Sequence, residues 1–339
     1  MSNPLLSVGA HLAGCRFKES AALFDAVSPD EESARRFRAL AVFGQRLLRL
    51  DLVDVMLVDE PELAPLLPED LTSRARQLSF PSTADARDRG ALESTPVLFG
   101  HVLEAFDIRW GRGDRLQVVS LMHLVAEYAG HLAWHSTLGH GGDPLRLAVH
   151  VDVGGSRWGQ VDAADCGHGR HHRHLAKRIV ERDMAKSPEA WSEFLRAEYS
   201  RVGEQLIVCA TRRTLRSWGT RARVCDAPCP VWTALDADAA ARVETGVRLA
   251  VWLRNSPAVE LRHGAPVGHF FGVPDREEVE ESWAKLARQL ARREQVVLRG
   301  DGLNDQLRDL CGHIAGRPVP ATTLIADTIA AMTAIVDGD

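Results

Sequence analysis

SLMHLVAEYAGHLAWHSTLGHGGDPLRLAVHVDV, residues 120–153, carries a helical pattern on one side of Gly141-Gly142 and a strand-like pattern on the other. On the first side His123, Glu127, His131 and His135 recur at every fourth position, and the apolar residues between them keep helical spacing. The spacing predicts a helix over 114–139, and the glycine pair supplies its stop. On the other side LRLAVHVDV and RWGQVDA alternate around Gly154-Gly155, which is a hairpin signal.

Working back from that junction, 95–107 reads as a helix, and FPSTADARDRGALES (80–94) as a polar loop. Residues 13–66 read as helical. SPDEES offers Ser28 as N-cap, Pro29 at the first helical position and Glu31 to close a capping box. ARRFRALAVFGQRLLRLDLVDVML then carries helix-spaced apolar residues, and PELAPLLPEDL breaks the run or starts a short new helix. The first 142 residues therefore read as an all-α bundle of about four helices.

Working forward, a helix is expected over 171–184, and another in SPEAWSEFLRAEYSRVGEQ, with Ser187 capping and Pro188 in the first turn. GEQLIVCAT, VRLAVWLR and EQVVLR are strand candidates. Asp275 and Glu278 form a capping box that opens a helix over 276–293, and helices near 302–313 and 320–336 close the chain. The fold class expected is mixed and helix-rich: a helical bundle over 1–142 followed by an α+β domain over 143–339.

The chain has 339 residues, enough for a large core; 45% are apolar and 26% charged. A net charge of only −5 does not point to wholesale nucleic-acid binding, although Arg170, Arg173, Lys177 and Arg178 leave a local basic patch. The first residues lack the basic start and long apolar run of a signal peptide, and no window is apolar enough to span a membrane. A cytoplasmic location is expected. The six cysteines then read as thiols or metal ligands rather than staples. Cys225 and Cys229 are spaced Cys-x-x-x-Cys, and a zinc site there would need Cys209 or the Cys311/His313 pair as well. An exposed Trp134 or Trp191 would mark a protein interface.

Nine of the fourteen histidines lie between 123 and 174. Residues four apart on a helix sit about 5–6 Å apart at Cβ, so Glu127 and His131 could grip one cation from a single helix. Each further step of four drifts about 40° around the axis, which leaves His123 and His135 flanking that pair. A third ligand would come from His101 or from the 168–174 loop. Such a donor set suits zinc or iron, with manganese and nickel as alternatives, and an open coordination position would make the site catalytic. The competing reading is structural: buried His and Glu satisfied by hydrogen bonds inside a bundle.

SLMHLVAEYAGHLAWH resembles the last-helix motif of DinB-like proteins, which include the mycothiol-dependent isomerases. The resemblance covers residues 120–136 and implies a four-helix bundle holding a divalent metal, with Glu127 and His131 as ligands and a histidine from an earlier helix as the third. The chain departs from that pattern over 33–57, which contains no histidine, so His11 or His101 would have to substitute.

A second cluster, DCGHGRHHRHLAKR, holds Asp165, Cys166, His168, His171, His172 and His174. If this loop folds over the bundle helix, His171 and His174 are the candidate acid–base residues for a small-molecule substrate. Otherwise it is a solvated basic turn. His263 and His269 lie in a Gly/Pro-rich stretch, HGAPVGHFFGVPD, which reads as an active-site lip or an ordinary turn. The phosphate-loop, dinucleotide, nucleophile-elbow and His-Glu-x-x-His motifs are all absent.

Three functions remain in play from the sequence. The favoured one is a metal-dependent enzyme of unknown substrate, its divalent metal held by Glu and His on a bundle helix. Another is a haem-dependent oxygenase with a single axial histidine. The third is a non-catalytic interaction or regulatory module with a protein partner, because GVRLAVWLR and VPDREEVEESWAKLARQLARREQVVLRGDG resemble C-terminal domains of bacterial conflict-system proteins.

Overall fold

The computed structural model describes residues 4–28, 30–151, 174, 177–178, 186–210, 230–265 and 271–338. In chain order its helices are α1 (Pro4–Ala13), α2 (Phe17–Asp25), α3 (Glu31–Arg49), α4 (Glu69–Arg76), α5 (Thr95–Gly111), α6 (Arg115–Leu138) and α7 (Pro144–Val151). Then follow α8 (Pro188–Ala197), α9 (Tyr199–Ala210), α10 (Pro230–Thr233), α11 (Ala237–Arg254), α12 (Pro257–Gly264), α13 (Arg276–Arg293), α14 (Leu303–Ala315) and α15 (Leu324–Asp337).

The described residues contain no strand, so the expected α+β domain is replaced by helices. LRLAVHVDV contributes residues 145–151 to α7, GEQLIVCAT residues 203–210 to α9, and VRLAVWLR ends α11. The reason is burial. On α11 Val243, Val247, Leu249, Ala250, Val251 and Leu253 are all buried, so the segment is apolar around most of its circumference. A helix buried on several sides reads as a continuous apolar run, the same pattern a buried strand presents. EQVVLR forms no strand: Gln295 turns into the left-handed region at φ 58°, and Val296 N–H donates back to Leu290 O at the end of α13. The RWGQVDA hairpin and most of the 171–184 helix lie outside the described residues.

The helix starts follow local chemistry. Ser187 accepts from Ala190 N–H with Pro188 in the first turn, and Asp275 accepts from Glu278 N–H, both as the sequence predicts. At α3 the cap is Asp30, which accepts from Ser33 N–H, rather than the expected Ser28, whose hydroxyl donates to Asp30 O. Acidic residues in the first turn of α3 and arginines in its last turn complement the helix dipole. α6 ends two residues before the glycine pair, at Gly139, which takes the left-handed cap.

α6 is the axis of the molecule. It buries residues on every side, including Val118, Met122, Val125, Ala129, Leu132 and Trp134, and packs against α5, α9, α11, α12 and α14. At the other end of the chain α15 returns to α1, α3 and α4. Its N-terminus is capped from a distance by the buried Glu104 of α5. One carboxylate oxygen accepts from Thr322 Oγ1 (3.0 Å) and Leu324 N–H (3.1 Å), the other from Ile325 N–H (2.9 Å) and Ala326 N–H (3.2 Å). No described helix is long and apolar enough to cross a membrane.

Candidate functional site

The four row residues lie on α6, but successive 40° steps turn them toward different neighbours. His123 and Glu127 face the start of α9, the end of α11 and α12. There His123 Nε2 lies 3.2 Å from Glu127 Oε1 and 2.6 Å from Arg262 Nη1. One ring nitrogen cannot serve both: protonated it pairs with Glu127, bare it accepts from Arg262. Arg254 stands nearby, paired with Glu204 at 2.7 Å. Hydrogen bonding to His123, together with the charges of His123, Arg254 and Arg262, outweighs burial and holds the Glu127 carboxyl below the usual range. The ring of His263 stands edge-on to His123, 6.5 Å between centroids.

His131 faces α9 and is fully buried. Its Nε2 lies 3.0 Å from Tyr199 O and 3.1 Å from Gly203 N, and its ring stacks on Tyr199 at 4.4 Å. The helices approach closely here. A Cβ on Gly203 would lie 2.8 Å from the imidazole, one on Gly142 would lie 2.8 Å from its Nδ1, and one on Gly130 would lie 2.4 Å from Gly203 O. Tyr199 donates its hydroxyl to Gly141 O, and Trp134 donates to Leu206 O. Burial pushes the His131 pKa down to about 4, so the ring is neutral. The backbone contacts engage Nε2 of the ring, and Nδ1 is buried without a hydrogen-bond partner among the described residues.

His135 closes the row. Its Nε2 donates to Glu93 O at 2.9 Å, and Nδ1 accepts from Arg317 Nη2 at 3.1 Å, which together define one neutral tautomer. Burial lowers its pKa, and the Arg317 and Arg146 charges act in the same direction. Arg317 lines an open cleft of about 670 Å3 with Arg299, Arg308, His313, Asp305 and Asp309.

The structure thus brings His123 and Glu127 together and parts both from His131 and His135. Among the described residues no three His, Cys, Asp or Glu side chains converge as a metal site would require. His101 is buried in α5, with Nε2 3.1 Å from Leu47 O and Nδ1 3.4 Å from Glu104. His174 is exposed on a helical residue, whereas Cys166, His168, His171, His172, Cys225, Cys229 and His269 lie outside the described residues. Trp134 and Trp191 are fully buried and mark no interface.

Sequence reasoning missed the partners rather than the row. Arg262, Tyr199, Glu93 and Arg317 lie 42 to 182 positions from the histidines they meet, at no motif spacing. It also missed the buried bidentate pair of Arg89 with Asp143 (2.8 and 2.9 Å), which ties the 80–94 loop to the start of α7. No family model, curated protein or solved structure matches the chain.

Proposed function

We propose that the chain is a non-catalytic interaction or regulatory module in which the histidine row serves packing rather than chemistry. The observation that carries this reading is the environment of His131. The central residue of the row is neutral, buried, stacked on Tyr199 and engaged with the backbone of α9. A core histidine held by stacking and by backbone contact through Nε2, with Nδ1 buried and without a hydrogen-bond partner among the described residues, fits that setting better than a base exchanging protons with a substrate.

The test is metal analysis and an absorption spectrum of the full chain purified without a histidine tag, beside Glu127→Ala and His123→Ala. The expected result is metal well below one equivalent, no Soret band, and no difference among the three proteins. A Soret band would overturn the reading in favour of haem chemistry.

One observation favours a second reading, a divalent metal enzyme centred on Glu127. His263 stands beside the His123–Glu127 pair, so a small rearrangement would gather two imidazoles and a carboxylate. The Arg262 guanidinium against His123 opposes it, because a fixed cation repels a second one. About one equivalent of zinc or iron, lost in both variants, would establish this reading and overturn the first.

A further inference from the structure

Between the end of α3, α5 and α6 lies a cavity of about 140 Å3, lined by Leu50, Leu52, Phe80, Leu98, Phe99, Val102, Leu124, Val125 and Tyr128. Leu52, Leu98, Phe99, Val102 and Val125 are buried, while Leu50, Phe80, Leu124 and Tyr128 are half-buried and form its mouth. Among the lining residues only Tyr128 carries a polar side-chain atom, and its hydroxyl makes no hydrogen bond among the described residues. Water held in a cavity needs two to four polar partners, and one hydroxyl does not supply them. The space opens to solvent through its half-buried mouth, water within it is poorly held, and one of about 150 Å3 has room for benzene.

Two further features point to a space that is kept rather than left over. Leu50 ends α3 in the left-handed region, φ 58° and ψ 33°, where glycine is the usual residue. A leucine there accepts backbone strain and gains a side chain on the cavity mouth, a departure that is informative because it is observed rather than assumed. Tyr128 meanwhile has its ring 5.5 Å from His131 and 5.7 Å from Tyr199, so the wall of the cavity is continuous with the aromatic knot that joins α6 to α9.

We infer that this cavity is a binding site for a small, uncharged, single-ring aromatic molecule carrying one hydrogen-bond acceptor, held in apolar contact by Leu98, Phe99, Val102 and Val125 and oriented by the hydroxyl of Tyr128. An anion has no cationic partner in the wall, and a fused-ring or long-chain ligand exceeds the volume. Burial raises the Tyr128 pKa to about 12, so the hydroxyl remains a donor throughout the physiological range. The inference is independent of the module reading, because none of the row residues His123, Glu127, His131 or His135 lines the cavity.

The test is calorimetric titration of the full chain with p-cresol and with toluene, which differ by one oxygen. Both should saturate, with p-cresol tighter by roughly fivefold, the size of one neutral hydrogen bond. Tyr128→Phe removes one oxygen and no packing, and should bring the two affinities level. Leu124→Trp fills the mouth and should weaken p-cresol at least about tenfold, with folding checked by circular dichroism. Should the tryptophan variant fail to fold, the Tyr128→Phe comparison decides alone. Failure of both probes to saturate below their solubility limits would overturn the proposal. So would a p-cresol preference that persists in Tyr128→Phe, or a folded Leu124→Trp that binds as the parent does.

Discussion

His131 holds a neutral ring in the core, and that makes protonation a stability effect. Its pKa is about 4 in the fold and close to 6.5 once the chain unfolds. Between those values the unfolded chain binds the extra proton, so stability rises with pH. The contribution is fully present above pH 6.5 and is lost as pH falls toward 4, about 3 kcal/mol in total. Urea unfolding at pH 7 and pH 5 should show His131→Asn losing about 2 kcal/mol less over that interval than the parent chain, with His135 contributing equally to both. Parallel losses would mean that the ring does not carry this effect. At this scale the sequence exposes half of the argument. The four-residue spacing places the row on one helix, and its drift indicates that the outer members diverge. What each member touches depends on Arg262, Tyr199, Glu93 and Arg317, which only the folded chain brings near.

The crossing of α6 and α9 depends on two glycines that local propensity disfavours. Gly130 and Gly203 sit inside helices, where alanine is the better former by about 1 kcal/mol. A Cβ at Gly130 would nonetheless lie 2.4 Å from a backbone oxygen of α9, which cannot swing aside as a flexible side chain would. Gly130→Ala should therefore lower stability by about 2 kcal/mol despite the gain in propensity. Gly9→Ala is the opposite case. Gly9 lies within α1 with nothing within 4 Å of its would-be Cβ, and the change should raise stability by about 0.5–1 kcal/mol. Thermal unfolding of both variants checks the pair; Gly130→Ala as stable as the parent would remove the close crossing from the account. Helices whose ends carry explicit chemistry, such as α8 with Ser187–Pro188 and α13 with Asp275, were legible because a cap is a local signal. The interior of α11 was not, because burial on several sides erases the amphipathic period that separates helix from strand.

A change of texture near residue 145 suggests a boundary at 142, yet helices from both sides share contacts. α6 packs on α9, α11, α12 and α14, and α15 packs on α1 and α3. Glu104 concentrates this coupling in one carboxylate. Burial alone would raise its pKa, but hydrogen bonds and charge from His101, with Ala326 N–H and Thr322, overcome that and keep it below the usual range. Its two oxygens take four donors at the start of α15, so the charge sits where the helix dipole favours it. Glu104→Gln removes the charge and turns an amide nitrogen toward donors that need an acceptor. That should cost about 2–4 kcal/mol. The shape of the transition matters as much as its position. If the segments before and after 142 unfold together, urea curves from tryptophan fluorescence and far-UV circular dichroism will shift to lower denaturant in step. Two separated transitions, with ellipticity falling first and fluorescence unchanged, would mean that α15 detaches alone, before the rest of the molecule unfolds.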